Sequence, residues 1–157
     1  MADERPEEPA ERLRDLLEVI VEALDLDAEV EVVEDDERVR GTIEGEELGV
    51  LIGRHGQTID ALEHIATRVV HRGIEGDRKR VVVDAAGYRA RRAEVLEQQA
   101  DKAAGEALRF GRPVALDAMG PSERRIVHEF LRDRHDVETY SEGDEPDRHL
   151  VVAPVVA

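Results

Sequence analysis

Apolar residues along this chain alternate between helical and strand spacing, and the changes mark out its elements. Leu13, Leu16, Leu17, Ile20, Val21 and Leu24 form one stripe at 3.6-residue spacing and predict a helix from Glu11. Ala28 to Glu34 and Glu37 to Glu44 then alternate. Val30 and Val32 fall on one face of the first, and Val39, Gly41 and Ile43 on one face of the second. Asp35-Asp36 between them is a hairpin turn. A short helical turn follows, then a glycine-bounded corner, then a helix with Ile59, Leu62, Ile65, Ala66, Val69 and Val70 as its expected buried stripe. Gly73 suits the end of that helix. Val81-Val82-Val83 is a short buried strand.

A second series begins near Ala86. Residues 88–109 are rich in strong helix formers. Val114 to Leu116 predicts a strand, and Pro121-Ser122-Glu123 opens a helix, with proline suited to its first turn. Ile126, Val127, Phe130 and Leu131 are its expected buried face. Val137 to Tyr140 and His149 to Val152 are strands joined by the acidic turn Ser141 to Asp147. The expectation is an α+β protein of two small domains. The first is α-β-β-α-α-β over residues 11–85, and the second is α-β-α-β-β over 86–157. An acidic tail, 1–10, has no apolar period and is expected to be disordered.

Composition narrows the classes. The chain has 157 residues and no cysteine, which excludes disulfides, thiolate metal sites and cysteine nucleophiles. The start is acidic where a secretory leader is basic, and no apolar run reaches the roughly 20 residues of a membrane-spanning helix. A cytoplasmic protein without membrane insertion is expected. The net charge of −16 argues against a polyanionic partner. The charge is unevenly spread, however. Residues 1–48 carry a net −14, residues 49–112 a net +3 and residues 113–157 a net −5. Beyond a screening length of about 8 Å, a local basic surface attracts phosphate despite distant acid.

The most informative stretch is Leu51-Ile52-Gly53-Arg54-His55-Gly56-Gln57-Thr58-Ile59. Gly53 and Gly56 permit a sharp bend and close backbone approach. The helix that follows directs free amides and partial positive charge at the corner. Arg54 and His55 can project onto a phosphate, and Leu51, Ile52 and Ile59 are expected to line a shallow groove for bases. Arg78, Lys79 and Arg80 add a basic run that is expected to assist. An aliphatic pair, GxxG, and an aliphatic three residues on resembles the KH domain, in its helix-first type II arrangement. That resemblance implies an RNA-backbone clamp at Gly53 to Gly56.

In the second series Arg124 and His128 stand four apart and share a helix face. With Arg132 they are expected to form a cationic stripe near a helix start. By spacing alone, a solvated arginine beside a structural histidine is the better fit. The stretch resembles the R-three-H domain, associated with single-stranded nucleic acid. A KH domain followed directly by that domain resembles the bacterial Jag (KhpB) family, over about residues 11–153. Many members carry an additional N-terminal domain, which is expected to be lacking here. The resemblance implies binding of single-stranded RNA by a post-transcriptional regulator or RNA chaperone, with Arg124 and His128 as the signature pair. It also implies a link to cell elongation and division, and a small KH-only protein as a heterodimer partner. A homodimer and a protein-interaction adaptor are the rival expectations.

Enzyme motifs fail. Gly53 to Thr58 lacks the lysine and glycine count of a nucleotide-binding phosphate loop. His64 and His71 have no third ligand nearby in sequence. His128-Glu129 leads to Arg132 where a zinc protease needs histidine. No catalytic residues, metal or cofactor are expected.

Overall fold

The computed structural model describes residues 8–156, which fall into two compact units divided between Arg89 and Ala90. The first seven residues of the expected tail lie outside the described residues. Pro9 and Ala10, also assigned to that tail, already belong to the first helix.

In the first unit, α1 (Pro9–Ala23) precedes β1 (Ala28–Glu34) and β2 (Arg38–Gly45). One turn of helix, α2 (Gly49–Ile52), and a tight turn over Arg54–Gly56 lead into α3 (Gln57–Val70) and β3 (Arg80–Ala85). The sheet order is β1-β2-β3. β1 and β2 are antiparallel, while β2 and β3 are parallel. A hairpin suffices for the first pairing, and the second needs the crossover that α2 and α3 supply. The hairpin is fixed by Asp35, whose Oδ1 accepts amide protons from Glu37 and Arg38 at 2.8 Å each. The amide bond from Glu37, then that from Arg38, holds the Asp35 carboxyl below its ordinary value.

α1 and α3 cover one face of this sheet. Leu13, Leu17, Val39, Ile43, Ile59, Ala66 and Val83 are fully enclosed. Burying each large aliphatic side chain stabilises the unit by about 1.5–3 kcal/mol. Arg12 ties the two helices together, donating to the carbonyls of Val70 and Arg72 where α3 ends. The buried stripe of α3 is narrower than its sequence suggests. Ile59, Leu62, Ala66 and Val70 face the sheet, whereas Ile65 and Val69 are exposed. A single sheet face below the helix takes one stripe, and residues one step round it remain in water.

α4 (Tyr88–Phe110) runs on from the first unit and supplies the core of the second. It is followed by β4 (Val114–Ala115), α5 (Pro121–Leu131), β5 (Val137–Glu142) and β6 (His149–Pro154). The sheet order is β4-β6-β5, antiparallel throughout, so β6 is central. Leu150 and Val152 join the core beneath the helices, and Val151 and Ala153, on alternate positions, are buried as well. Ala100, Ala103 and Ala104 present a small-residue face that packs with Leu96, Val127, Leu131, Leu150 and Val152. Phe130, expected in this core, is exposed instead; α5 turns Val127 and Leu131 inward together with Glu123 and Arg124.

Candidate nucleic-acid interface

The bend between α2 and α3 is built from backbone conformations that ordinary side chains avoid. Gly53 has φ 72° and ψ −177°, His55 φ 53° and ψ 29°, and Gly56 φ 75° and ψ 14°. The Gly53 geometry is essentially confined to glycine, and a left-handed histidine is uncommon. Space is equally tight. A Cβ on Gly53 would come within 2.2 Å of Thr58 Oγ1, and one on Gly56 within 2.6 Å of Tyr88 Cε1. Both glycines are therefore fixed by the fold itself. The bend turns Arg54 and His55 outward, and both are exposed. No side chain caps α3; the Gly56 and Gln57 amides are taken by the Gly53 and Arg54 carbonyls of the turn itself.

The groove expected beside this bend differs in composition. Leu51 and Ile59 are core residues, at 2% and 0% exposure, and cannot line a surface. Of the neighbouring apolar residues, Val50 is exposed and Ile52 half-buried. In this one-turn helix Leu51 enters the core, Ile52 packs against its margin and Val50 is left in solvent.

Sequence inspection missed the pair that anchors the corner. The Tyr88 ring underlies Gly56, and Arg89 reaches back across α3. Its guanidinium donates to Asp60 Oδ1 at 2.9 Å, Glu63 Oε2 at 2.8 Å and the Val83 carbonyl at 2.8 Å. Glu63 also accepts from the Val83 amide at 3.0 Å. Burial opposes the Arg89 charge, but the bond to Asp60 and the charges of Glu63, Asp60 and Asp84 outweigh it and raise its pKa. The only signal in the sequence was an arginine just past a strand, which has many explanations.

The basic run Arg78-Lys79-Arg80 is not part of the corner. It lies at the start of β3, while Tyr88 follows the end of that strand. Six strand residues separate the two by about 20 Å. Two of the three are also occupied. Arg78 donates to the Ile74 carbonyl, and Lys79 Nζ holds Glu34 Oε1 at 2.8 Å, a bond that raises its pKa. Arg80 is exposed.

In the second unit the expected cationic stripe divides. Arg124 is buried, with its Nε donating to the Met119 carbonyl, Nη1 to Ser141 Oγ and Nη2 to Glu145 Oε1. It joins the start of α5 to the acidic turn between β5 and β6. His128 is half-buried, with Nδ1 2.6 Å from Thr139 Oγ1. Burial, then the charge of Arg124, pushes its pKa down. Arg132 lies just past the end of α5 with its side chain in solvent. An open depression of about 510 Å³ beside His128 is lined by Arg132, Val137 and Thr139 among others. Arg92 and Glu123 form another pair, at 2.6 Å.

Among the described residues no group of three or more His, Asp or Glu is arranged to hold a metal ion. No helix among them is long and apolar enough to cross a membrane.

An α-β-β-α-α-β unit with a GxxG corner, followed by a unit carrying an Arg-xxx-His helix, defines a protein of the KH and R-three-H class. The family models agree: the KH domain of KhpA/KhpB matches residues 10–84, and the R-three-H domain matches residues 94–154. The RNA-binding protein KhpB of Clostridium symbiosum is 36% identical, over 95% of this chain and 68% of its own. That of Bacillus subtilis strain 168 is 38% identical, over 93% of this chain and 71% of its own. That of Lactiplantibacillus plantarum is 37% identical, over 90% and 44% respectively. The chain belongs to the KhpB family.

Proposed function

We propose that this chain binds single-stranded RNA, with the Gly53–Gly56 bend as its backbone clamp. It is a binding protein rather than an enzyme, in keeping with its KH and R-three-H domains and with relatives named as RNA-binding proteins. The observation that carries the clamp is the set of positive φ angles at Gly53, His55 and Gly56, which turns Arg54 and His55 outward where no side chain caps α3. Amides, a guanidinium and an imidazole then face one sugar–phosphate segment, while Val50 and Ile52 offer an apolar edge for bases. Arg80 and His128 are secondary contacts, with Arg78, Lys79 and Arg124 available only when their present partners yield. The physiological role consistent with this is post-transcriptional regulation or RNA chaperoning in the cytoplasm, with an effect on cell elongation and division. The domain limits that go with it are 11–85 and 86–157.

The test is Arg54→Asp with His55→Asp, titrated against a short fluorescein-labelled single-stranded RNA. Loss of two charge-assisted contacts, each about 1.5–3 kcal/mol, predicts binding weakened by well over tenfold with an unchanged circular dichroism spectrum. Undiminished binding by the folded variant rejects the clamp.

A second role is supported by one feature. Val19 of α1 and Ile65 and Val69 of α3 leave an exposed apolar face, Val19 at 62% exposure. A protein-interaction adaptor would use such a face for a KH-only protein or a second copy. Partners retained after ribonuclease digestion support that role, and partners lost support RNA bridging.

A further inference from the structure

The end of α4 carries an aromatic ring that no core claims. Phe110 is 55% exposed, in a chain with only four aromatic residues. Guanidinium carbons of Arg109 and Arg112 stand 5.3 and 5.5 Å from its ring centroid, within cation–π range. Neither arginine has a carboxylate within ion-pair distance among the described residues. Arg89, Arg92, Arg124, Arg125 and Arg134 all do.

The segment is held rather than loose. Gly111 has φ 63°, and the Arg112 amide donates to the Ala107 carbonyl at 3.3 Å, the six-to-one bond that closes a helix with a left-handed glycine. Ala107 is fully buried, and Val114 two residues beyond Arg112 pairs with Val152 of the central strand. Both ends of Arg109-Phe110-Gly111-Arg112 are thus anchored while its side chains stand in water.

Cation–π attraction alone does not account for exposing the ring, since an arginine stem covers an aliphatic residue as well. A ring flanked by two guanidiniums that hold no carboxylate has the chemistry of a nucleotide platform. The ring offers a face to one base, and the arginines offer donors to its phosphates or a second planar surface for a neighbouring base.

We propose that Phe110, with Arg109 and Arg112, is a stacking site for an unpaired nucleotide of RNA, separate from the KH bend and from the Arg124–His128 helix. This rests on the proposed binding of single-stranded RNA. Base pairing hides the face the ring needs, so the site selects single strands over duplexes.

The chain contains no tryptophan, so Phe110→Trp places one reporter at the site in an otherwise intact protein. Indole emission and the anisotropy of a labelled single-stranded RNA are followed in one titration. The expected result is quenching that tracks binding and is absent with a duplex of equal phosphate count. Phe110→Leu, which keeps an apolar side chain, should weaken single-strand binding about 5- to 150-fold. Arg109→Gln with Arg112→Gln should lower the slope of log K against log salt by about 1.4. RNA binding with unchanged emission, and with Phe110→Leu at full affinity, overturns the site while leaving the clamp in place. No RNA binding by the unaltered chain overturns both. An equal emission shift on anionic vesicles without RNA marks a membrane contact and also overturns the proposal.

Discussion

A Cβ on Gly56 would sit 2.6 Å from Cε1 of Tyr88, so the second glycine of the bend is held by packing as much as by its left-handed backbone. Function and folding thus compete at this position. Gly56→Ala is expected to destabilise the first unit by about 1–3 kcal/mol, combining strain with overpacking. In a Tyr88→Leu background the same change should cost less, because the flat ring edge is gone. Urea unfolding of the four proteins gives the coupling energy. A cycle with no coupling would show that the backbone angle alone demands glycine.

Arg89 is expected to matter for stability rather than for direct RNA contact. Arg89→Met removes bonds to Asp60, Glu63 and the Val83 carbonyl, and takes the cation away from two partly buried acids. A loss of about 1–3 kcal/mol follows, below the fully buried limit because all three side chains keep some solvent. Arg89→Lys should recover only part of it, since an ammonium cannot span three acceptors in a plane. Thermal melting of both variants checks this.

His128 makes the second unit sensitive to acid. Burial and the neighbouring Arg124 lower its pKa in the folded state beneath the ordinary 6.5. Between the two values the unfolded chain binds the extra proton, so stability rises with pH through that window. The contribution is complete above about 6.5 and is lost as pH falls toward the folded value. His128→Gln should flatten this part of the stability profile between neutral and mildly acidic pH. The same depressed pKa leaves the ring uncharged at about pH 7.5, so the salt slope of RNA binding should not change in that variant. Chemical denaturation across pH, paired with binding at two salt concentrations, measures both.

Glu145 shields a cation. It occupies one end of the Arg124 guanidinium while its own side chain is half in solvent. Glu145→Gln removes the rival charge without removing a hydrogen-bond acceptor. Stronger binding of single-stranded RNA is expected, with a salt slope steeper by up to about 0.7. Arg124→Ala should instead lower the stability of the second unit, because Met119, Ser141 and Glu145 all lose their partner. Anisotropy and melting separate the two outcomes.

Most of the fold was legible because local periodicity is a local property. The stripe of α1, the Asp35 hairpin and the apolar run of β6 each carry their own signature over a few residues. The misjudged positions depended on what lay opposite. Ile65, Val69 and Phe130 fit a helical stripe, yet the sheet below takes a narrower face. Leu51 and Ile59 fit a groove for bases because a sequence does not reveal which side of a one-turn helix, or of the first turn of the next, is covered. Charge misled most. Arg78, Lys79 and Arg80 count as three cations, but two have internal partners and all sit at the far end of β3 from Arg54. Arg124 turns inward, while His128, four residues on, is half-buried beside an open depression. The Phe110 platform was invisible because exposure of a lone aromatic has no sequence pattern.

The ion pairs at Lys79 and Arg124 have a bearing on which anions this molecule admits. Under the proposed RNA binding, Glu34 and Glu145 compete with any phosphate at Lys79 and Arg124, and each is covalently tethered, so its effective concentration greatly exceeds that of a free metabolite. A mononucleotide offers one contact and cannot win that exchange. A polymer gripped elsewhere brings its next phosphate at comparable local concentration and can. Chain length, more than base identity, then decides what is retained at these two positions.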